Sequence, residues 1–459
     1  MPDDALTRLP NDALARIPDD ALTRLRAVAE RFARKNDWLH VHGVVTEAFP
    51  SHFHVEGLSA FLKLDDCVML EGDGRRLPAQ AIRINRDGAL IKSFESHAGV
   101  GLGARVTLTG PFEIAPHPAW KGRVLNAFAA PIDSHGPLRR GHAPRSVDTP
   151  PPKAMSRGRV RAPAPTGVRA IDAFTPLCRG QRMGVFAGSD VGKSTLLAMM
   201  SRSLSFDAVV ICLVGERGRE VRDFLDEILG QRAGHAITIV ATGDESPMMR
   251  RLAPLTAMAV AEYFRDRGES VLLIMDSVTR YAHALREIAL AAGEPPVANG
   301  FAPSVFADLP RLLERAGPGA EGDGTITAIF SVLVDGDNHN DPVADCIRGT
   351  LDGHIVLERE IAEQGRYPAI NILKSISRLA DRVWRADQRD IISQLRMHAS
   401  KYEDTRDLRL LGGYQPGADP LLDRAIDIAP HLYEALKQSP DDSPSIDAIA
   451  ELAALLAKA

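Results

Sequence analysis

Residues 184–195 read Gly-Val-Phe-Ala-Gly-Ser-Asp-Val-Gly-Lys-Ser-Thr, a glycine-rich turn between an apolar run and a helix-forming run. This stretch predicts a phosphate-binding loop, because small residues let consecutive backbone N–H groups point into one concavity and the following helix begins with its positive end toward the anion. In such a loop Lys193 reaches the β- and γ-phosphates, and the Ser194 hydroxyl ligates Mg²⁺. The predicted nucleotide-binding residues here are Gly188, Ser189, Asp190, Val191, Gly192, Lys193, Ser194 and Thr195.

The composition is that of an average globular protein, with 45% hydrophobic and 25% charged residues. A length of 459 residues predicts two or three domains and a large core. The net charge of -5 argues against a dedicated nucleic-acid binder, which usually carries a strongly basic domain. We therefore expect no nucleic-acid partner.

The cysteines and the apolar runs bear on the compartment. Four cysteines are scattered without a CxxC spacing, which predicts neither a zinc site nor a disulfide framework and favours a reducing compartment. No run reaches about 18 apolar residues, and the N-terminus lacks the basic and apolar regions of a signal peptide. We expect a soluble, cytoplasmic protein that can dock on a membrane machine.

An eight-residue repeat occupies the N-terminus, where residues 2–9, 10–17 and 18–25 all follow P-[DN]-D-A-L-x-R-[LI]. Pro10 and Pro18 limit the first two copies to single helical turns at most. After Pro18, apolar residues recur at helical spacing, which predicts an amphipathic helix within a segment 1–36. Two interpretations stay open: a helix that docks a partner or a membrane surface, and a disordered extension before a packed helix.

The next two segments differ in composition. Short alternating apolar stretches broken by turn signals such as Glu71-Gly72-Asp73-Gly74 predict a small all-β domain, a barrel, over residues 37–112. Residues 113–166 are predicted to form an interdomain linker, because most of this segment is rich in Pro, Arg and Gly.

From Gly167 onward, β-rich apolar runs alternate with helical patterns, which predicts an α/β core with a mainly parallel sheet over residues 167–380. Residues 381–459 read as a helical domain. The predicted core strands are Ala208–Val214, Ala236–Val240, Val271–Met275, Ile326–Val332 and His354–Leu357.

Two acidic residues follow predicted core strands. Asp276 ends the run Val271–Met275 and is placed as a Walker B carboxylate, which holds Mg²⁺ through its water shell. Glu216 follows the run Ala208–Val214, at the edge of the sheet where open α/β proteins bind ligands. There it could polarise the water that attacks the γ-phosphate, although from spacing alone it could also be a helix-start acid.

Eight stretches, including the motifs above, occur in order along the chain: Thr166–Asp172, the loop Ala187–Ser194, Gly215–Glu220, Asp276–Arg280, Pro303–Gly317, Asp341–Asp345, Tyr367–Arg378 and Gly413–Gly417. Together they resemble the catalytic subunits of rotary ATPases and, more closely, the flagellar and type III secretion export ATPases. The resemblance covers roughly residues 37–435. It implies an α/β fold with a RecA-like P-loop core, an N-terminal β-barrel and a C-terminal helical domain.

The resemblance assigns roles to individual positions. Glu216 matches the family's catalytic glutamate, and Arg217 and Arg280 match arginines beside the γ-phosphate. Tyr367 matches the aromatic residue that stacks on adenine. Arg378 matches an arginine contributed across a subunit boundary, so activity is expected to require a ring, in this family a homohexamer. Tyr414 is a further candidate for the adenine pocket, with a packing role equally open.

Two features lie outside the family pattern. Asp190 stands where the family usually has Gly, which leaves its effect on nucleotide affinity open. The N-terminal repeat is also additional, at the end that in this family docks a stator-like regulator. The other implied partners are the export gate and chaperone-cargo complexes, reached by peripheral association with the export apparatus at the inner membrane.

The resemblance implies Mg²⁺-dependent ATP hydrolysis that energises flagellar protein export and flagellum assembly. An injectisome ATPase shares every catalytic motif and remains an alternative. A catalytic subunit of an ATP synthase is less favoured, because Glu216 and Arg378 occur in one chain. A hexameric RNA helicase would need a basic or aromatic surface in the β-domain, and residues 38–112 offer little.

Overall fold

A computed structural model describes residues 41–96, 99–160, 162–232, 234–334 and 341–456. The predicted N-terminal repeat and amphipathic helix lie outside these ranges. In the described part of the chain, no helix combines the length and the apolar character needed to span a membrane.

The first unit is a closed six-stranded barrel in which neighbouring strands run antiparallel in the order β1-β2-β5-β4-β3-β6. Asp73 and Gly74 connect β3 to β4, and both have positive φ, as a two-residue hairpin turn requires. Alternate residues such as Val68 and Leu70 point into the barrel and are buried. The strands are β1 (His42–Ala48), β2 (Phe53–Glu56), β3 (Cys67–Gly72), β4 (Arg75–Ile84), β5 (Ala89–Ser93) and β6 (Arg105–Gly110).

The segment predicted as an extended linker is in part built into the core, which corrects the sequence interpretation. Strands β7 (Glu113–Ile114) and β9 (Arg145–Ser146) pair with each other, while β8 (Val124–Asn126) joins the edge of the main sheet. The Pro-rich composition obscured a short apolar stretch in which the Trp120 side chain is 3% exposed. Single turns of 3₁₀-helix also occur at Pro118–Trp120 and Ala154–Ser156.

The main sheet has nine strands in the described part of the chain, with the order β17-β16-β10-β15-β13-β11-β12-β8 and β14 paired to β15. All neighbours are parallel except β14 and β17. Their bounds are β10 (Arg182–Ala187), β11 (Ala208–Val214), β12 (Ala236–Ala241), β13 (Ser270–Asp276), β14 (Gly317–Pro318), β15 (Thr325–Leu333), β16 (Gly353–Leu357) and β17 (Ile376–Ser377). The α/β prediction with a mainly parallel sheet is confirmed.

Helices cover both faces of this sheet, because its central strands are apolar on both sides. In β11, Val210 and Cys212 join one buried cluster, whereas Val209 and Ile211 join the other. The core helices are α1 (Arg169–Phe174), α2 (Lys193–Ser201), α3 (Gly218–Arg232), α4 (Pro247–Arg265), α5 (Val278–Ala291), α6 (Pro303–Leu313), α7 (Pro342–Thr350) and α8 (Arg359–Glu363).

The C-terminal part is helical, as predicted. Apolar residues of its two longest helices, including Leu395 and Leu432, are fully buried in the cluster that covers the second face of the sheet. The helices are α9 (Ala380–Val383), α10 (Ala386–Asp404), α11 (Arg406–Leu410), α12 (Pro420–Ala435) and α13 (Ala448–Leu456).

Candidate nucleotide-binding site

The glycine-rich loop connects β10, which ends at Ala187, to α2, which begins at Lys193. It therefore lies at the carboxyl edge of the parallel sheet, where α/β proteins bind ligands. Gly192 has φ 85° and Asp190 has φ 62°, both in the left-handed region. Aspartate is one of the few residues other than glycine that enter this region readily, which explains how the loop accommodates Asp190.

Lys193 lies between two carboxylates that the sequence places far from it. Its Nζ atom is 2.6 Å from Oδ1 of Asp276 and 3.8 Å from Oε1 of Glu216. Strands β11 and β13 are neighbours, with Leu213 beside Asp276, so the residues that follow β11 reach the same edge. The structure thus brings Lys193, Glu216 and Asp276 into one cluster, in which the Asp276 side chain is buried and the other two are partly buried.

Glu216 has an unusual environment. Burial, followed by the nearby charge of Asp276, raises the pKa of the Glu216 carboxyl to about 7, although the Lys193 ammonium acts in the opposite direction. Its Oε1 atom is buried without a hydrogen-bond partner among the described residues. A buried carboxylate oxygen that accepts no hydrogen bond is suited to bind a water or another donor at this position.

A cavity of about 510 Å³ opens beside this cluster, and we call it the phosphate-side cavity. Its volume falls within the range of small-molecule sites. Arg280 of α5 lines it and packs closely against Gly215, where an added Cβ would lie 3.0 Å from the Cβ of Arg280. The lining residues are Gly188 to Thr195, Gly215, Glu216, Arg217, Glu220, Asp223, Phe224, Arg280 and Leu333.

The two predicted γ-phosphate arginines both line this cavity and are both exposed. The Arg217 side chain is 87% exposed and pairs with Glu220 at 3.3 Å. Glu220 is a residue that the sequence analysis missed. Its hydrogen bond and its charge both contribute to the raised pKa of Glu216. The sequence feature that could have identified Glu220 is its acidic side chain in the first turn of α3.

Tyr367 lies against the glycine-rich loop. A Cβ placed on Gly192 would be 3.4 Å from two carbon atoms of the Tyr367 ring, and the tyrosine remains 47% exposed. The same ring lines a second cavity of about 300 Å³, together with Tyr433 and Leu436. The position leaves a ring face beside the loop available for stacking.

Tyr414 is not brought to this site. It lines neither cavity, and its hydroxyl donates to Oδ1 of Asp423 at 2.6 Å. That hydrogen bond raises the pKa of Tyr414 to about 12. The contact favours the packing role that the sequence left open, because the hydroxyl already has a partner within the helical domain.

Arg378 lies at the amino-terminal end of the parallel strands, whereas the glycine-rich loop lies at their carboxyl-terminal end. It follows β17, whose Ser377 pairs with Gly353 at the start of β16, whereas Leu357 at the end of β16 pairs with Ala187. Leu357 comes four residues after Gly353 in β16, so the two ends of the strand are about 13 Å apart. Arg378 is exposed and does not line the phosphate-side cavity of its own chain.

Comparison with known proteins gives two family matches. Residues 167–377 match the nucleotide-binding domain of the ATP synthase alpha/beta family. Residues 384–454 match the C-terminal domain of the type III secretion ATPase EscN.

Individual relatives match along most of the chain. The flagellum-specific ATP synthase of Agrobacterium fabrum is 53% identical over 414 residues, which cover 90% of this chain and 88% of the relative. The assembled ATPase EscN of the enteropathogenic E. coli type III secretion system has a TM-score of 0.84 at 38% identity, covering 90% of this chain and 100% of that one. EscN in complex with its central stalk EscO has a TM-score of 0.82 at 36% identity, with the same coverage.

Proposed function

Because the chain belongs to the family of flagellum-specific ATP synthases and type III secretion ATPases, we propose that it is a Mg²⁺-dependent, homohexameric ATPase that energises protein export during flagellum assembly. The observation that carries the proposal is the cluster of Lys193, Glu216 and Asp276 beside the phosphate-side cavity. This arrangement joins a phosphate-binding cation, a carboxylate for the metal and a carboxylate for the attacking water.

ATP would lie along the glycine-rich loop, with its phosphates at the N-terminus of α2 and its adenine beside the Tyr367 ring. Lys193 would exchange its contact with Asp276 for the β- and γ-phosphates. The αL conformation of Gly192 and the small residues of the loop are consistent with close approach of an anion to the backbone.

The residues present fit a magnesium ion. Ser194, at the first turn of α2, offers a hydroxyl, and the Asp276 side chain, 3% exposed, offers a carboxylate at the same edge. Mg²⁺ is usually held by one or two protein oxygens, water and substrate phosphates. When bound, the ion neutralises charge that develops on the phosphates.

Glu216 would orient the attacking water and accept its proton. Its buried Oε1 atom has no hydrogen-bond partner among the described residues. Its pKa is raised toward neutral pH, where a general base is most effective. Arg280 and Arg217 line the same cavity and would stabilise negative charge on the γ-phosphate.

Arg378 would act on the neighbouring subunit. In its own chain Arg378 follows β17 at the amino-terminal end of the parallel strands, away from the glycine-rich loop, so we assign its guanidinium to the site of a neighbouring subunit. An arginine supplied in trans contributes about 10³ to 10⁵ in rate in related phosphoryl-transfer enzymes. This position supports a ring of identical subunits as the active form.

The EscN–EscO complex supports a central stalk as one partner of the ring. We further propose a stator-like regulator at the N-terminus, together with the export gate and chaperone-cargo complexes. Peripheral association with the export apparatus at the inner membrane would place the enzyme beside these partners. The flagellar relative is 53% identical, whereas the type 3 secretion system ATPase of Xanthomonas euvesicatoria is 42% identical over a similar length, which favours flagellar export over an injectisome.

Deletion of the gene, followed by counting of cells with flagellar filaments in the electron microscope, tests this function. We expect filaments to disappear and to return with the wild-type gene, but not with Glu216→Gln. The purified variant should still bind ADP while its hydrolysis falls by about 10²- to 10⁴-fold. Normal filaments in the deletion strain, with no second copy of the gene, would transfer the proposal to an injectisome.

A further inference from the structure

The apex of the glycine-rich loop is held from outside the phosphate-side cavity by an arginine that no sequence motif singles out. Nη2 of Arg359, the first residue of α8, donates a hydrogen bond of 2.8 Å to the backbone carbonyl of Ser189. Among the described residues that line the cavity, Arg359 is absent. Its contact is therefore with the loop and not with the space that the phosphates would occupy.

The sheet sets up this contact. Leu357 of β16 pairs with Ala187 of β10 in parallel register, so two further residues along each chain lead to Arg359 and Ser189. The same segment continues to Tyr367, whose ring lies against Gly192. The segment 359–367 thus contacts the loop on both sides of its apex: Arg359 contacts the backbone of Ser189, and Tyr367 contacts Gly192.

The orientation of one peptide group follows from the hydrogen bond. In a trans peptide the C=O of one residue and the N–H of the next point in opposite directions. Since the Ser189 carbonyl points to Arg359, the N–H of Asp190 points away from Arg359. Asp190 adopts the left-handed conformation. When a residue in the right-handed conformation is followed by one in the left-handed conformation, their N–H groups point into a concavity that binds anions.

We propose that Arg359 is a positioning residue that fixes the Ser189–Asp190 peptide with the Asp190 N–H directed at the nucleotide phosphates. The proposal rests on the function proposed above. Without the guanidinium, the peptide can rotate and turn the Ser189 carbonyl toward the phosphates. That rotation removes one hydrogen-bond donor from the phosphates and points the negative end of a carbonyl dipole at them. The affinities for ADP and for ATP therefore fall by the same factor.

A titration with fluorescent ADP measures the effect on the full-length ring. For Arg359→Ala we expect a Kd for ADP about tenfold higher, as for the loss of one charge-assisted hydrogen bond. The KM for ATP should rise by a similar factor, while kcat stays within about twofold. Arg359→Lys retains a donor and should recover most of the affinity.

Arg83→Ala is the matched control, because Arg83 is another arginine that donates to a backbone carbonyl, that of Ala292, at the barrel. Its Kd for ADP should equal that of the wild type. The melting temperature without nucleotide should be the same for all variants, and if Arg359→Ala does not fold, Arg359→Gln replaces it, since its side chain is too short to reach Ser189.

The proposal would be overturned by an ADP affinity of Arg359→Ala within about twofold of wild type, or by a fall in kcat with unchanged Kd. A lysine variant as weak as the alanine variant would likewise contradict the role of the donor. Failure of the wild-type protein to bind ADP at all would instead refute the proposed function, so the two failures are distinguishable.

Discussion

The ammonium of Lys193 lies 2.6 Å from a carboxylate oxygen of Asp276, although 83 residues separate them in the chain. The Asp276 side chain is nearly inaccessible, so this pair neutralises two charges that would otherwise be buried alone. In the binding mode proposed above, nucleotide would break this pair, because the same ammonium would be needed at the phosphates. Asp276 would then compete with the nucleotide for Lys193 and would offer a ligand to the accompanying metal.

Substitution of Asp276 by Asn should separate these two roles. In EDTA, we expect Asp276→Asn to bind ADP more tightly than wild type, because a competing negative charge is removed. With Mg²⁺, the gain in affinity that the wild type shows should be largely lost, and hydrolysis should fall by at least about 10²-fold. Fluorescent ADP titrations with and without Mg²⁺ measure both effects. Equal affinities for the two proteins in EDTA would show that the pair does not compete with nucleotide.

The raised pKa of Glu216 predicts an acid limb in the rate profile. The ionised carboxylate is the form that accepts a proton, so kcat/KM should fall about tenfold per pH unit below a midpoint near 7. Glu220 raises this pKa through its hydrogen bond and its charge, so Glu220→Gln should move the midpoint to lower pH. Steady-state kinetics from pH 5.5 to 8.5 provide the test. If Glu220→Gln leaves the midpoint unchanged, the acid limb does not report the ionisation of Glu216.

The position of Arg378 predicts complementation between two inactive variants. As pure rings, Arg378→Ala should lose at least about 10³-fold in hydrolysis, and Glu216→Gln should lose about 10²- to 10⁴-fold. In an equal mixture, about a quarter of the interfaces combine an intact Glu216 with an intact Arg378 from the neighbour. Activity should therefore reappear after the subunits are mixed and reassembled. Mixtures that stay inactive at every ratio, although mixed rings form, would contradict a shared site.

A buried ion pair joins Glu262 of α4 to Arg315, which lies two residues beyond the end of α6. The Arg315 and Glu262 side chains are 1% and 3% exposed, and two hydrogen bonds of 2.9 Å join them. We expect Arg315→Met to lower the free energy of unfolding by about 3–5 kcal/mol, because it leaves Glu262 buried without its counter-charge.

Urea unfolding followed by circular dichroism measures this loss, and Arg311→Ala serves as the control. Arg311 pairs with Asp148 near the surface, with side chains 48% and 32% exposed, so its removal should cost less than about 1 kcal/mol. Similar losses in the two variants would mean that burial does not strengthen the dependence on Arg315.

The sequence predicts the elements whose signal is local and leaves others hidden. The runs that became β11, β12 and β13 are buried along their whole length, and such continuous apolar runs stand out in a sequence. The β8 strand has only three residues and lies in a Pro-rich segment, too short to show periodicity.

Among the site residues, Lys193 and Asp276 could be singled out from the sequence because both belong to recognisable motifs at strand ends. Arg359 was missed because a side chain that donates to a backbone carbonyl leaves no pattern in residue types. Tyr414 was a candidate for the adenine pocket from its motif, but its hydroxyl is engaged by Asp423. Contacts between distant segments are decided by packing, which composition and spacing do not encode.

The edge strand β8 has a practical consequence for anyone who isolates the catalytic core. It hydrogen-bonds to β12 with Val124 beside Thr238, yet it precedes the start of the matched nucleotide-binding domain by more than forty residues. A truncation that begins at residue 167 would leave β12, whose residues are all buried in the intact protein, as an unpaired edge strand. Unpaired edges of that kind recruit strands from other molecules. The soluble unit of this enzyme therefore begins before β8, well upstream of the boundary that sequence similarity suggests.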